Sequence, residues 1–132
     1  CEWPSNGEID VMENYGGKIH ANFAWGTGRR WQAHWDAFNR LVGDFGAGWT
    51  EEFHIWELHW TSDRLRILLD GEELNSVDLS QTVNGSSNCV GQNPFQQRHY
   101  LLLNLALGSN GGSVDALEFP TRYVIDYVRV YQ

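Results

Sequence analysis

Glu8, Asp10 and Glu13 place three carboxylates within six residues, in the stretch GEIDVMEN at residues 7–14. Residues two apart on a β-strand share a face, so Glu8 and Asp10 point one way while Ile9 and Val11 point the other. Glu13 falls out of step with that alternation. One extra residue, a β-bulge at Val11-Met12, restores its direction and lines all three acids along one face. Like charges in a row oppose folding, so the row reads as chemistry, set against the plainer reading of a solvated acidic strand face. Paired carboxyl groups are the usual equipment for breaking glycosidic bonds, one as carboxylate and one as proton donor. A retaining mechanism holds the two working carboxyls about 5–5.5 Å apart. Four strand steps from Glu8 to a bulged Glu13 span roughly 13 Å at ~3.3 Å each. The strand must therefore bend across a concave sheet, and the two Glu side chains must lean together. Asp10, between them, is placed to share a proton or hydrogen bond with the nucleophile and tune its charge.

The elements that position this row follow in order. Tyr15-Gly16-Gly17 breaks the acidic strand. Residues 18–26 (KIHANFAWG) alternate cleanly, with Ile19, Ala21, Phe23 and Trp25 on one face and His20, Asn22 and Ala24 on the other. The short turn predicts an antiparallel hairpin, in which His20 and Asn22 stand beside the carboxylates or are ordinary solvent-facing residues. In residues 27–50, Trp31, Trp35 and Phe38 recur at helical spacing between closely set glycines. The pattern fits an amphipathic helix or, better, an extended segment and a long loop. Trp31 and Trp35 are core residues or platforms for a sugar ring. Strands are predicted over residues 53–60, 64–70 and 72–79, with a polar loop over 80–97. The near-continuous apolar run 100–107 predicts a strand buried on both faces except at Asn104, which joins His20, Asn22 and Trp31 as a candidate substrate contact. A Gly-rich loop over 109–118 and a closing strand over 122–131 complete the chain. Short strands, Gly-rich turns and little helix predict an all-β antiparallel sandwich.

Composition narrows the function. The 132 residues suit one domain, able to bury roughly two thirds of the unfolded surface. A net charge of −8, with no basic cluster beyond Arg29-Arg30, argues against nucleic acid and against an anionic membrane surface. No apolar run reaches the ~18 residues of a spanning helix. Cys1 and Cys89 are too few for a disulfide framework, and whether they pair is open at this level. Asn84-Gly85-Ser86 is a glycosylation sequon or a chance match. His54, Glu57 and His59 do not form a metal motif, because His54 faces away from the other two on a strand. No nucleophile elbow, P-loop or dinucleotide fingerprint is present.

Together these residues resemble the family-16 glycoside hydrolases, endo-glycanases with a concanavalin A-like β-jelly roll. The signature WP-x-x-GEID-x-x-E is met from Trp3-Pro4 to Glu13. FHIWELHWTSDRLRILLDG, Pro94-Phe95, LLLNLALG and DYVRVYQ resemble the family's later strands in order, so the likeness covers essentially the whole chain. The resemblance implies a retaining double displacement with Glu8 as nucleophile, Asp10 as its electrostatic assistant and Glu13 as general acid/base. It implies no required cofactor, and it allows a structural calcium at Asp126. The bulged spacing is that of the branch acting on β-1,3-glucans and red-algal galactans. The expected activity is therefore hydrolysis of an extracellular β-1,3- or β-1,3(4)-glucan by a secreted, periplasmic or cell-surface protein. An agarase-, carrageenase- or porphyranase-like galactan hydrolase and a non-catalytic carbohydrate-binding module are the alternatives. Two departures stand out. The chain resembles only the C-terminal half of the family's single catalytic domain, so the jelly roll is expected to be incomplete here and to need a second chain or copy. Ala24 replaces a frequent histidine, and Ser109-Asn110-Gly111-Gly112 lacks a Trp common in that loop.

Overall fold

Alternating apolar residues build two three-stranded antiparallel meanders. The first contains β1 (Glu8–Tyr15), β2 (Lys18–Gly26) and β3 (Ala33–Leu41), in the order β1-β2-β3. The second contains β4 (Trp56–Trp60), β5 (Arg64–Leu69) and β6 (Glu72–Asp78), in the order β4-β5-β6. The computed structural model describes residues 1–85, 89–115 and 119–132 and divides into two units, Cys1–His99 and Tyr100–Gln132. Both sheets lie in the first unit. The third position of the sequon and parts of the 80–97 and 109–118 loops fall outside the described residues.

Turn chemistry sets the hairpins. Gly16 and Gly17 both take positive φ, 59° and 71°, as do Asp70 (51°) and Gly71 (83°). Paired left-handed residues match the twist of the flanking strands, so each two-residue turn fixes its register. Residues 33–41 form a strand, which settles the helix-or-extended choice in favour of extended chain. The inward residues of both sheets meet in one core of Ala21, Phe23, Leu65, Ile67, Val77, Leu79 and Phe95, with Ile9, Val11, Trp25 and Phe38 packed against it. Burying each large apolar side chain contributes about 1.5–3 kcal/mol, and this core is what holds the two sheets face to face. Asn75 of β6 ties them further, Nδ2 donating to Ala21 O at 3.0 Å and Asp36 O at 3.2 Å.

The lead-in and the long loop are pinned to one end of β2. Asn84 is 2% exposed; its Nδ2 donates to Ser5 O at 2.7 Å and its Oδ1 accepts from Gly26 N at 2.8 Å. A Cβ on Gly26 would lie 2.6 Å from Ser5 Oγ and 2.8 Å from Asn84 Oδ1, so only glycine fits there. The sequon asparagine is therefore consumed inside the fold. Cys1 and Cys89 form a disulfide across the same region, with Cα atoms 6.1 Å apart.

The second unit corrects two expectations. Neither residues 100–107 nor 122–131 form a strand; among the described residues the unit holds one short 3-10 turn, Ser109–Gly111. Burial is corrected too, since Tyr100 is 83% exposed, Leu102 73% and Val130 84%. An apolar segment becomes a strand only where a neighbouring ladder receives its N–H and C=O groups. Within this unit the described residues supply no such ladder.

Candidate active site

The odd offset between Glu8 and Glu13 is resolved by the backbone. On the β1–β2 ladder Glu8 pairs with Ala24, Asp10 with Asn22, and Glu13 with His20, with an irregular register between Asp10 and Glu13. Directly opposed residues share a face, so Ala24, Asn22 and His20 show that all three acids look outward from one sheet face, as the predicted bulge requires. Ile9 and Val11 meanwhile reach the core. The acids are thus rigidly backed by packed strands.

Several residues that hold the row were not singled out for that purpose in the sequence. Trp3 Nε1 donates to Glu8 Oε2 at 2.5 Å, fixing one oxygen of that carboxylate. Gly7, at φ 78°, lies where a Cβ would come within 2.7 Å of Pro94 Cβ, so the start of β1 sits directly on the Pro94-Phe95 turn. Asn93 caps that turn through Phe95 N, Trp60 Nε1 donates to Phe95 O at 2.9 Å, and the Phe95 ring enters the core. The spacing of WP-x-x-GE was the available signal for Trp3 and Gly7. The link to Pro94, far along the chain, had none.

Burial and crowding of charge set the protonation of the row. Asp10 is raised from 3.8 to about 7, first by burial, then by the charges of Glu8 and Glu13 and a hydrogen bond with Glu8; an Asn22 amide with its NH2 turned to Asp10 acts against this. Glu13 is also raised, by burial and then by the Glu8 charge, with His20 pulling it down. One carboxyl that keeps its proton toward neutrality, a second raised in the same direction and a third beside them give a division of labour of the kind that proton-assisted bond cleavage needs. Tyr15 is raised as well, by burial and the charges of Glu13 and Asp10.

The four candidate substrate contacts fare differently. Asn22 sits among the acids, 3.4 Å from Asp10 Oδ2 and 3.5 Å from Glu13 Oε2. His20 lies opposite Glu13 but stacks on Tyr15, ring centroids 4.0 Å apart, and its Nε2 is sealed from solvent without a hydrogen-bond partner among the described residues. Trp31 lies in the β2–β3 connection, beyond the last paired residues Gly26 and Ala33, with the Arg30 guanidinium 5.2 Å from its ring. Trp35 is the residue in line, since Glu8 pairs with Ala24 and Ala24 with Trp35; its ring is half exposed and 6.4 Å from that of Trp3. Asn104 is exposed in the second unit, outside the strands that carry the acids. Asp126 is exposed in the same unit, and among the described residues no three His, Cys, Asp or Glu side chains gather to hold a metal ion.

A sheet that backs a row of three outward carboxylates, with Asp10 and Glu13 both raised, is an arrangement of the kind that acid-assisted cleavage of glycosidic bonds uses. The chain belongs to glycosyl hydrolases family 16, whose family model matches residues 2–128. It is 31% identical over 139 residues to the beta-glucanase of Rhodothermus marinus, covering 98% of this chain and 46% of that protein. It is 29% identical to the glucan endo-1,3-beta-glucosidase A1 of Niallia circulans, covering 98% of this chain and 20% of the relative. Among solved structures, a chain described with endo-acting O-glycanases of the human gut microbiota superposes with a TM-score of 0.59 at 24% identity, over 73% of this chain and 34% of that one. The fold is accordingly that of a jelly-roll sandwich, of which the chain spans about half or less of its relatives' length.

Proposed function

We propose that this chain carries the catalytic carboxylates of a retaining endo-hydrolase of β-1,3- or β-1,3(4)-linked glucan. The single observation behind this reading is the bulged β1 strand, which brings Glu8, Asp10 and Glu13 to one face opposite Ala24, Asn22 and His20. In the first step the Glu8 carboxylate attacks the anomeric carbon while Glu13 gives its proton to the departing glycosidic oxygen, leaving a glycosyl ester on Glu8. In the second, Glu13, now a carboxylate, takes a proton from the incoming water; the water oxygen bonds to the anomeric carbon and the ester bond to Glu8 breaks. Asp10, neutral below about 7, keeps three negative charges from accumulating along the row beside the Glu8 carboxylate.

A binding module has no need of three acids on one face, two of them with raised pKa. A sulfated galactan would favour free cationic side chains, yet in the Arg29-Arg30 pair Arg30 is bound through Nε and Nη2 to the Glu2 carboxylate at 3.0 Å each. Neutral glucan needs no such cation. The Cys1–Cys89 disulfide suits an oxidising location, that of a secreted, periplasmic or surface protein. Residues 100–107 and 122–131 take up strand pairing with further family-16 chain, in the same polypeptide, a second chain or a second copy. A folded monomer of these 132 residues with both segments protected from hydrogen exchange refutes that part.

The test is a reducing-sugar assay of the complete assembly on laminarin, lichenan, agarose and carrageenan. Laminarin or lichenan is cleaved, and Glu8→Gln or Glu13→Gln lowers the rate at least ~10²–10⁴-fold. Product of inverted anomeric configuration, or full activity in Glu8→Gln, overturns the reading.

A further inference from the structure

Asn22 is 5% exposed and wedged between two groups of oxygen atoms. One end of its carboxamide faces Asp10 Oδ2 at 3.4 Å and Glu13 Oε2 at 3.5 Å; the other end faces the backbone carbonyls of Ala21 and Phe38. A backbone carbonyl can only accept. With NH2 turned toward the acids, the amide oxygen is pressed against two acceptors, a buried mismatch that costs about 1–3 kcal/mol. With NH2 turned the other way, Nδ2 donates to Phe38 O and Ala21 O at 3.3 Å each. The amide oxygen then faces two carboxyl groups, and it can be satisfied there only if they bring a proton.

We propose that Asn22 is a positioning residue for the catalytic proton: anchored by NH2 on the carbonyls of β2 and β3, it presents its oxygen as an acceptor for the neutral Asp10 or Glu13 carboxyl. This inference rests on the proposed hydrolase reading for its purpose, not for its geometry. The charged or titratable groups facing this amide's surroundings are Glu8, Asp10, Glu13 and Tyr15 from β1 and His20 from β2. The outward row of β3 opposite them, Trp35, Ala37 and Asn39, carries no charge. Asn22 therefore favours the protonated pair, which reverses the sign that a donating NH2 would have.

The experiment needs no substrate, so it stands apart from failure of the hydrolase reading. The Asp10 and Glu13 carboxyl carbons are followed by NMR against pH in the wild-type protein and in Asn22→Leu. Loss of the acceptor moves the Asp10 titration downward by about half to one pH unit. Leucine's added apolar bulk pushes a carboxyl upward, so a fall cannot arise from desolvation. A rise, or no movement, overturns the proposal. Neutron diffraction of the wild-type protein at about pH 5 gives a second answer independent of any variant. Deuterons on Asn22 Nδ2 directed at Ala21 O and Phe38 O support it, and deuterons directed at Asp10 and Glu13 overturn it.

Discussion

Replacing Asp10 by Asn is expected to make the protein more stable in alkaline solution while it impairs the chemistry. Burial, with the charges of Glu8 and Glu13, raises Asp10 from 3.8 to about 7. At about 1.36 kcal/mol per pKa unit, ionising it inside the fold costs at most ~4 kcal/mol. Solvent reaches part of the carboxylate, and screening reduces this to roughly 2 kcal/mol. Because the folded value lies above the unfolded one, the folded chain binds more protons between the two. The stabilisation is complete below about 3.8 and is lost as pH rises through about 7. Asparagine makes no such demand. The stability gap between D10N and the wild type should therefore grow in the variant's favour by about 2 kcal/mol from about pH 4 to pH 8.5. Urea unfolding followed by tryptophan fluorescence measures it; with an m-value of about 1–3 kcal/mol/M, the midpoint difference changes by roughly 1 M. A gap that stays constant with pH, or that widens in favour of the wild type, refutes the electrostatic account of the row.

Three further outcomes follow from other parts of the fold. Asn84→Ala strands the buried Gly26 N–H and Ser5 carbonyl and should lower unfolding free energy by about 2–3 kcal/mol, while mass spectrometry of folded wild-type protein from a glycosylating host finds Asn84 unmodified. His54 donates from Nδ1 to Asp70 at 2.8 Å and from Nε2 to Trp49 O at 2.7 Å. Burial alone would lower the His54 pKa, but these bonds and the charges of Asp70 and Glu52 raise it above 6.5. Burial raises Asp70, yet the Ile55 N–H and His54 leave it below 3.8. This clamp is complete below 6.5 on the histidine side and above 3.8 on the aspartate side, so His54→Gln should destabilise more at about pH 5.5 than at pH 8.5 in paired unfolding curves. Reduction of Cys1–Cys89, 88 residues apart, should lower the unfolding free energy by about 2–4 kcal/mol, read as a shifted urea midpoint.

The carboxylate row was legible in the sequence because its geometry is local. Period-two alternation assigns faces from neighbouring residues, and the odd offset from Glu8 to Glu13 already demands the extra residue that separates Asp10 and Glu13 on the ladder. The β1–β2 and β5–β6 hairpins were legible for the same reason, since Gly16-Gly17 and Asp70-Gly71 carry their turn chemistry within two positions. What the tertiary structure alone decided depends on residues far apart in the chain. Gly7 must be glycine because Pro94 arrives against it, and Asn84 is lost to glycosylation because Ser5 and Gly26 enclose it. Trp35 rather than Trp31 stands in line with Glu8 because register across three strands put it there. Residues 100–107 read as a strand from composition, but a strand is a relation between two segments, and the described residues of that unit supply no second one. Sequence determined which side chains share a face; only the fold decided which of them have partners, because hydrogen bonds and close packing are made between segments that local pattern cannot bring together.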